Sequence, residues 1–205
     1  MPFAAQHVKA ARLHLQKADP VMKQILKQVG PFTAKTTRDR FLTLVRSIVA
    51  QQISGAAART ILSRLLEAIA PAKISPESVS EFDVDGLREI GVSRQKATYI
   101  LDLAAQVENG NVDLQKIGRK SDQEVIDELV QVKGIGVWTA QMFMMFSLGR
   151  MDVFPDGDLG IQQGIKKNYP IKCELTTKKM HEIAEPWHPY ATIASWYLWR
   201  SLEVD

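Results

Sequence analysis

The chain has 205 residues, 45% of them hydrophobic and 24% charged, with a formal net charge of +3. That is enough chain for one domain or two small ones with a proper core, and the balance excludes a disordered protein. No apolar run reaches the ~18 residues that a bilayer span needs, so no membrane contact is expected. The single cysteine, Cys173, excludes a disulfide framework and any zinc site or iron–sulfur cluster built from several cysteines of this chain. It fits a reducing compartment, and no apolar signal segment follows Lys9, Arg12 and Lys17, so an intracellular protein is expected. Charge is unevenly placed: residues 1–60 carry ten Lys/Arg against two acids, whereas 121–205 carry eight against twelve. A basic portion beside an acidic one is compatible with nucleic-acid binding, and equally with many metabolic enzymes.

Asp19-Pro20 opens the first predicted helix, with an acid to cap it and proline at its first position. Val21, Met22, Ile25, Leu26 and Val29 follow at helical spacing, and Gly30-Pro31 ends the run. A helix over 41–49 turns Phe41, Leu44, Val45 and Ile48 to one side. Ala50-Gln51-Gln52-Ile53 interrupts it, and Ser54 then caps a long helix to residue 69. Gln52 can project from this short polar break. Ser75-Pro76 starts a short helix. Residues 87–93 read as a helix end, a turn at Gly91 and a new cap at Ser93. The helix over 94–107 should face Ala97, Ile100, Leu101, Ala104 and Ala105 inward.

Ser121 and Glu124 form a capping box ahead of Val125, Ile126, Leu129 and Val130. Past Gly134-Ile135-Gly136, residues 137–148 include Trp138, Met142, Phe143, Met144, Met145 and Phe146. A run this apolar all round predicts a helix central to the protein. A loop bearing Asp152, Asp156 and Asp158 follows. The next helix, over 159–167, sets Gly160 and Gly164 on one face, suited to close packing. The last begins near Pro189 and passes Trp196 and Trp199. No strand pair emerges. The expected fold is all-α, with ten or so short helices.

Two features here can carry chemistry. The glycine turn exposes backbone N–H groups beside a helix N-terminus, which suits a phosphate, although a bare Gly-x-Gly is as well explained by a tight corner. The loop offers three acids, of which Asp158 directly precedes a helix whose N–H groups favour a negative charge. An N-cap aspartate without chemistry would look the same.

The wider string decides between these readings. Leu129, Val132, Ile135, Gly134 and Gly136 match the helix-hairpin-helix pattern. The segments 48–54 (Ile-Val-Ala-Gln-Gln-Ile-Ser), 134–140 (Gly-Ile-Gly-Val-Trp-Thr-Ala) and 153–160 (Val-Phe-Pro-Asp-Gly-Asp-Leu-Gly) agree in order and spacing with one family. Together they resemble the helix-hairpin-helix DNA glycosylases, most closely those of the DNA-3-methyladenine glycosylase II type, and the resemblance runs from about residue 19 to 199.

That resemblance implies a monofunctional base excision repair enzyme. It would flip alkylated purines of the 3-methyladenine or 7-methylguanine type out of double-stranded DNA and hydrolyse their N-glycosidic bond. The family's aspartate stands immediately before Leu-Gly, which selects Asp158 as catalytic. Trp138 occupies the position of the lysine used by bifunctional relatives, and Lys133 is not equivalent to it, so no lyase activity is expected. Gln52 would fill the gap in the base stack, with Ser54 nearby in the minor groove and the N–H groups of Gly134 and Gly136 on a phosphate. Trp138, Met142 and Trp196 would line the base pocket, Met142 standing where some relatives have tyrosine. His188 and Tyr190 could face the same cleft. The carbonyls of Val130, Val132 and Ile135 would coordinate a monovalent cation, Na+ or K+, and no other cofactor is implied.

The implied architecture is a single glycosylase domain over 1–205 without an extra N-terminal β domain. It would comprise a helical lobe over 38–140 that ends in the hairpin, a second lobe from 1–37 plus 141–205, and a DNA-binding cleft between them. A monomer in the cytoplasm or nucleoid, or in a nucleus, is expected. Two alternatives remain: a glycosylase for oxidised or mismatched bases, whose hallmark lysine and four-cysteine cluster are missing here, and a non-catalytic helix-hairpin-helix module that only binds DNA.

Overall fold

The computed structural model describes residues 3–171 and 174–204. Cys173, and the compartment inferred from it, lies outside the described residues. Among the described residues there are twelve α-helices and no β-strand, as the periodicity required. Contacts divide the chain into two compact units, Arg38–Phe143 and the pair of segments Met1–Thr37 and Met144–Asp205.

The first unit holds α3 (Arg40–Ala50), α4 (Gly55–Ile69), α5 (Pro76–Ser80), α6 (Val84–Glu89), α7 (Arg94–Glu108), α8 (Asp122–Leu129) and α9 (Val137–Phe143). Most of these start on a polar cap: Asp39, Ser54, Ser75, Asp83, Ser93 and Ser121 each accept a first-turn N–H, which satisfies a donor the helix cannot. Ser121 and Glu124 close the expected capping box. The packing axis is α7, against which α3, α5 and α6 lie. Its buried residues are Ala97, Ile100, Leu103 and Ala104. Leu103 thus takes the inward place expected of Leu101 and Ala105, because the stripe drifts as 3.6-residue turns accumulate.

The second unit holds α1 (Ala5–Ala18), α2 (Pro20–Val29), α10 (Leu159–Asn168), α11 (Thr177–Ala184) and α12 (Ala191–Ser201). Here α12 is the helix buried nearly all round, with nine of its eleven residues inside. It packs on α1, α2 and α10. Close approach of α10 depends on glycine: a Cβ at Gly164 would meet the Leu198 carbonyl oxygen at 3.0 Å, and one at Gly160 would meet Trp199 Cδ1 at 2.8 Å. Beneath α2, the buried Asp19 accepts four hydrogen bonds. Oδ1 takes the Val21 and Met22 N–H groups at 2.8 and 3.0 Å, and Oδ2 takes the Tyr169 hydroxyl at 2.5 Å and Trp187 Nε1–H at 2.9 Å. Burial, and then the Asp19 hydrogen bond, push the Tyr169 phenol far up, so it stays a donor at any physiological pH.

Residues 137–148 do not form the single central helix their composition suggested. The α-helix stops at Phe143 and one π-helical turn, Met144–Leu148, follows. Its widened carbonyls are used elsewhere: Phe146 O accepts the Thr37 N–H at 2.9 Å, and Met144 O accepts the Arg150 N–H. Nor is α9 buried all round, since Val137 and Trp138 in its first turn are 52% and 45% exposed.

Candidate active site

The glycine hairpin lies in the unit Arg38–Phe143. Helix α8 ends at Leu129, and Val130 accepts no left-handed conformation; the reversal comes at Gly134, with φ +80°. Leu129, Val132 and Ile135 are buried and hold the turn from within. Hydrogen bonds from Val132 N–H to Leu129 O and from Ile135 N–H to Val132 O tighten it. Asp102 on α7 accepts the Lys133 N–H at 2.8 Å. The Tyr99 ring lies so close over Gly134 that an added Cβ would sit 2.1 Å from Cδ2. Gly136 differs: its φ is unremarkable and nothing would lie within 4 Å of a Cβ. The two glycines therefore do separate jobs, one making the turn and the other leaving a surface open.

The polar break between α3 and α4 belongs to the same unit. Ser54 caps α4 through the Ala57 N–H at 3.2 Å. Gln52 is exposed and has φ 55°, the one positive-φ non-glycine among the described residues, a conformation that costs roughly 1–2 kcal/mol in a non-glycine residue. Gln51, which sequence reasoning passed over, donates from its side-chain amide to Gly134 O at 2.8 Å. That bond ties the break directly to the hairpin. The exposed Trp138 follows on α9, and Met142, one turn on, is half-buried.

The acidic loop lies in the other unit, where each of the three carboxylates has a different setting. Asp152 accepts from the Ala191 N–H at 3.1 Å and pairs with His188 Nδ1 at 2.8 Å, fastening the start of α12. Asp156 pairs with His181 Nε2 at 2.9 Å on the exposed side of α11. Asp158 caps α10: its Oδ1 accepts the Ile161 N–H and the Trp199 Nε1–H, each at 2.8 Å. Trp199 was not singled out by sequence. Only the gap left by Gly160, under the indole ring, could have signalled that a large side chain comes close there. The next residue, Leu159, is 71% exposed.

Trp196 is only 9% exposed and stacks edge-on against Phe32, with ring centroids 4.7 Å apart. His14 and Tyr190 make a similar edge contact at 5.4 Å. Among the described residues no cluster of His, Cys, Asp and Glu side chains could hold a metal ion. The carbonyl oxygens of Val130, Val132 and Ile135 come from the hairpin itself; that of Val132 already accepts one hydrogen bond and has capacity for a second partner.

Comparison with known proteins gives this arrangement a context. The family model described as HhH-GPD superfamily base excision DNA repair protein matches residues 45–189. The chain is 32% identical over 166 residues to a putative DNA-3-methyladenine glycosylase of Bacillus subtilis, covering 78% of this chain and 58% of that protein. A DNA-3-methyladenine glycosidase structure from Bacillus halodurans is similar with a TM-score of 0.81 at 38% identity, over 91% of this chain and 86% of that one. A 3-methyladenine DNA glycosylase from Schizosaccharomyces pombe in complex with abasic DNA gives a TM-score of 0.82 at 29% identity, over 95% and 97% of the two chains. With the hairpin, the capped aspartate and a family match over most of its length, this chain belongs to the HhH-GPD superfamily of base excision DNA repair proteins.

Proposed function

We propose that the protein is a monofunctional DNA glycosylase that hydrolyses the N-glycosidic bond of alkylated purines, of the 3-methyladenine and 7-methylguanine type, in double-stranded DNA. The observation that carries the reading is Asp158, held at the N-terminus of α10 by Ile161 N–H and Trp199 Nε1–H, directly before Leu159-Gly160. As the glycosidic bond breaks, the sugar becomes oxocarbenium-like, and an oriented carboxylate beside it stabilises that charge or aligns the attacking water. A purine alkylated on a ring nitrogen is already a cationic leaving group, so no dedicated general acid is needed. Trp138 at the position of the lyase lysine leaves no amine there for a Schiff base.

The remaining roles follow the same reading. The target base leaves the duplex to be reached, and Gln52 fills its place, with Ser54 in the minor groove. Gly134 and Gly136 hold a backbone phosphate through their N–H groups, without reading sequence. Trp138, Met142 and Trp196 line the base pocket, where aromatic faces favour a cationic base; Trp196 is braced for this by Phe32. The carbonyls of Val130, Val132 and Ile135 coordinate Na+ or K+ at the hairpin. The enzyme works as a monomer wherever the genome is, nucleoid or nucleus. No helix among the described residues is long and apolar enough to cross a membrane.

An excision panel of methylated, etheno, deaminated and oxidised bases, run with wild type and Asp158→Asn, tests the assignment. Wild type should release 3-methyladenine and 7-methylguanine. Asp158→Asn should lose roughly 100-fold or more in rate while still binding DNA. Release of 8-oxoguanine or mismatched uracil alone would refute the substrate class. Undiminished excision by Asp158→Asn would transfer the role to Asp156.

A further inference from the structure

A groove between α3 and α4 is not used by the mechanism above. It has a volume of about 440 Å³ and is lined by Val49, Ala50, Ala58 and Leu62 together with Arg46 from α3 and Arg59 from α4. Both arginines are exposed, and among the described residues neither has a hydrogen-bond or ion-pair partner. The guanidinium of Arg59 leans back toward the start of its helix, where a Cβ on Gly55 would meet its Nη1 at 3.4 Å. Two guanidinium groups that line one small groove and have no partner among the described residues offer an anion a pair of donor forks. Lys96, which bonds to the groove residue Val49, is already engaged: its Nζ donates to Val49 O at 2.8 Å, and desolvation lowers its pKa.

The groove's position indicates which anion this is. Ala50, part of its lining, stands two residues before Gln52, the exposed residue held at φ 55°. We propose that Arg46 and Arg59 together clamp one backbone phosphate of the duplex, and that this contact forms when Gln52 enters the base stack. The proposal rests on the assignment of Gln52 as the residue that fills the gap. A guanidinium presents a planar fork of donors that fits phosphate oxygens, and two forks can share the oxygens of one phosphate. The hairpin and the groove then grip the backbone at separate points, one independent of base extrusion and one dependent on it. Arg46 and Arg59 thereby become residues that discriminate a site with a gap from an intact duplex.

The test compares wild type, Arg46→Gln, Arg59→Gln and the double variant in fluorescence anisotropy, on duplexes with a stable abasic-site analogue and on intact duplexes. Both side chains are exposed, so the variants should melt with wild type. Affinity for abasic DNA should fall about tenfold in each single variant, with affinity for intact duplex changed under about threefold. The slope of log K against log salt on abasic DNA should flatten by about 0.9, the value for one phosphate. Unchanged affinity and slope on abasic DNA would overturn the proposal. Equal losses on both duplexes would also overturn it, by making the pair a general basic patch. If wild type itself neither prefers abasic DNA nor releases alkylpurines, the glycosylase reading fails instead, and that result is separate from any effect of the variants.

Discussion

Asp158 and Trp199 show how a single acceptor atom can be asked to do two things. Oδ1 closes the first turn of α10 and also receives the indole N–H from α12, so the carboxylate is fixed from two directions. An asparagine can keep both bonds through its carbonyl oxygen, which makes Asp158→Asn a test of charge with little change of structure. Trp199→Phe is the complementary test. It keeps the ring over Gly160 and beside Phe146, and removes only the donor. Single-turnover excision should fall about tenfold, the scale of one charge-assisted bond, with the Kd for DNA within about twofold. A lower melting temperature with unaltered excision would reduce Trp199 to a packing residue. Asp158 was legible in the sequence because a cap must directly precede its helix. Trp199 was not, since nothing in a helical spacing says which tryptophan turns toward a loop forty residues away. Gln51 was missed for the same reason: its partner, the carbonyl of Gly134, is remote in the chain.

At the scale of elements, the hairpin separates two glycines that look alike in sequence. Gly134→Ala must place a Cβ inside the Tyr99 ring at φ +80°, and should cost upward of about 2 kcal/mol in urea unfolding. Gly136→Ala meets open space, should unfold with wild type, and should weaken binding to all DNA sequences alike, as anisotropy can show. The entry into the hairpin helix sets an acid limit. The Ser121 hydroxyl, then its N–H, hold the Glu124 carboxyl below the ordinary value, and the Lys116 N–H does the same for Asp113. Because both folded-state values are lowered, the stability they add is complete above the ordinary carboxylate range. It drains away as pH falls through the lowered values. Unfolding free energy measured from neutral pH to about pH 3 should decline over that acid limb, and less steeply in Glu124→Gln. Capped elements such as α5, α7 and α8 could be read in advance because the cap and the stripe agree. Helix α1 could not: it has no side-chain cap and buries only Ala11 and Leu15. Helix α11 does carry a sequence signal, a Thr176 cap before Met180 and Ala184, though its eight residues make it a weak one. The π turn after α9 is not legible in a local pattern, and the N–H of Thr37 that its Phe146 carbonyl accepts is remote in the chain.

Across the whole molecule, one unit is built from both ends of the chain, and Asp19 is where those ends are sewn together. Its partners Tyr169 and Trp187 lie 150 and 168 residues away. Asp19→Ala would leave the partly buried Tyr169 hydroxyl and the buried Trp187 N–H without this partner and uncap α2, a loss of about 3 kcal/mol or more by urea unfolding. If the change were under about 1 kcal/mol, the hydrogen bonds would have to be replaced by water. The same arrangement has a consequence for synthesis. Met22, Ile25 and Leu26 of α2 leave the ribosome well before α12, which packs on that helix. Until then α2 has only α1 packed against it, whereas the unit Arg38–Phe143 has all its residues available before α12 is made. A nascent chain thus acquires the hairpin before it has Asp158, and α1 and α2 wait, open to chaperones, for α12.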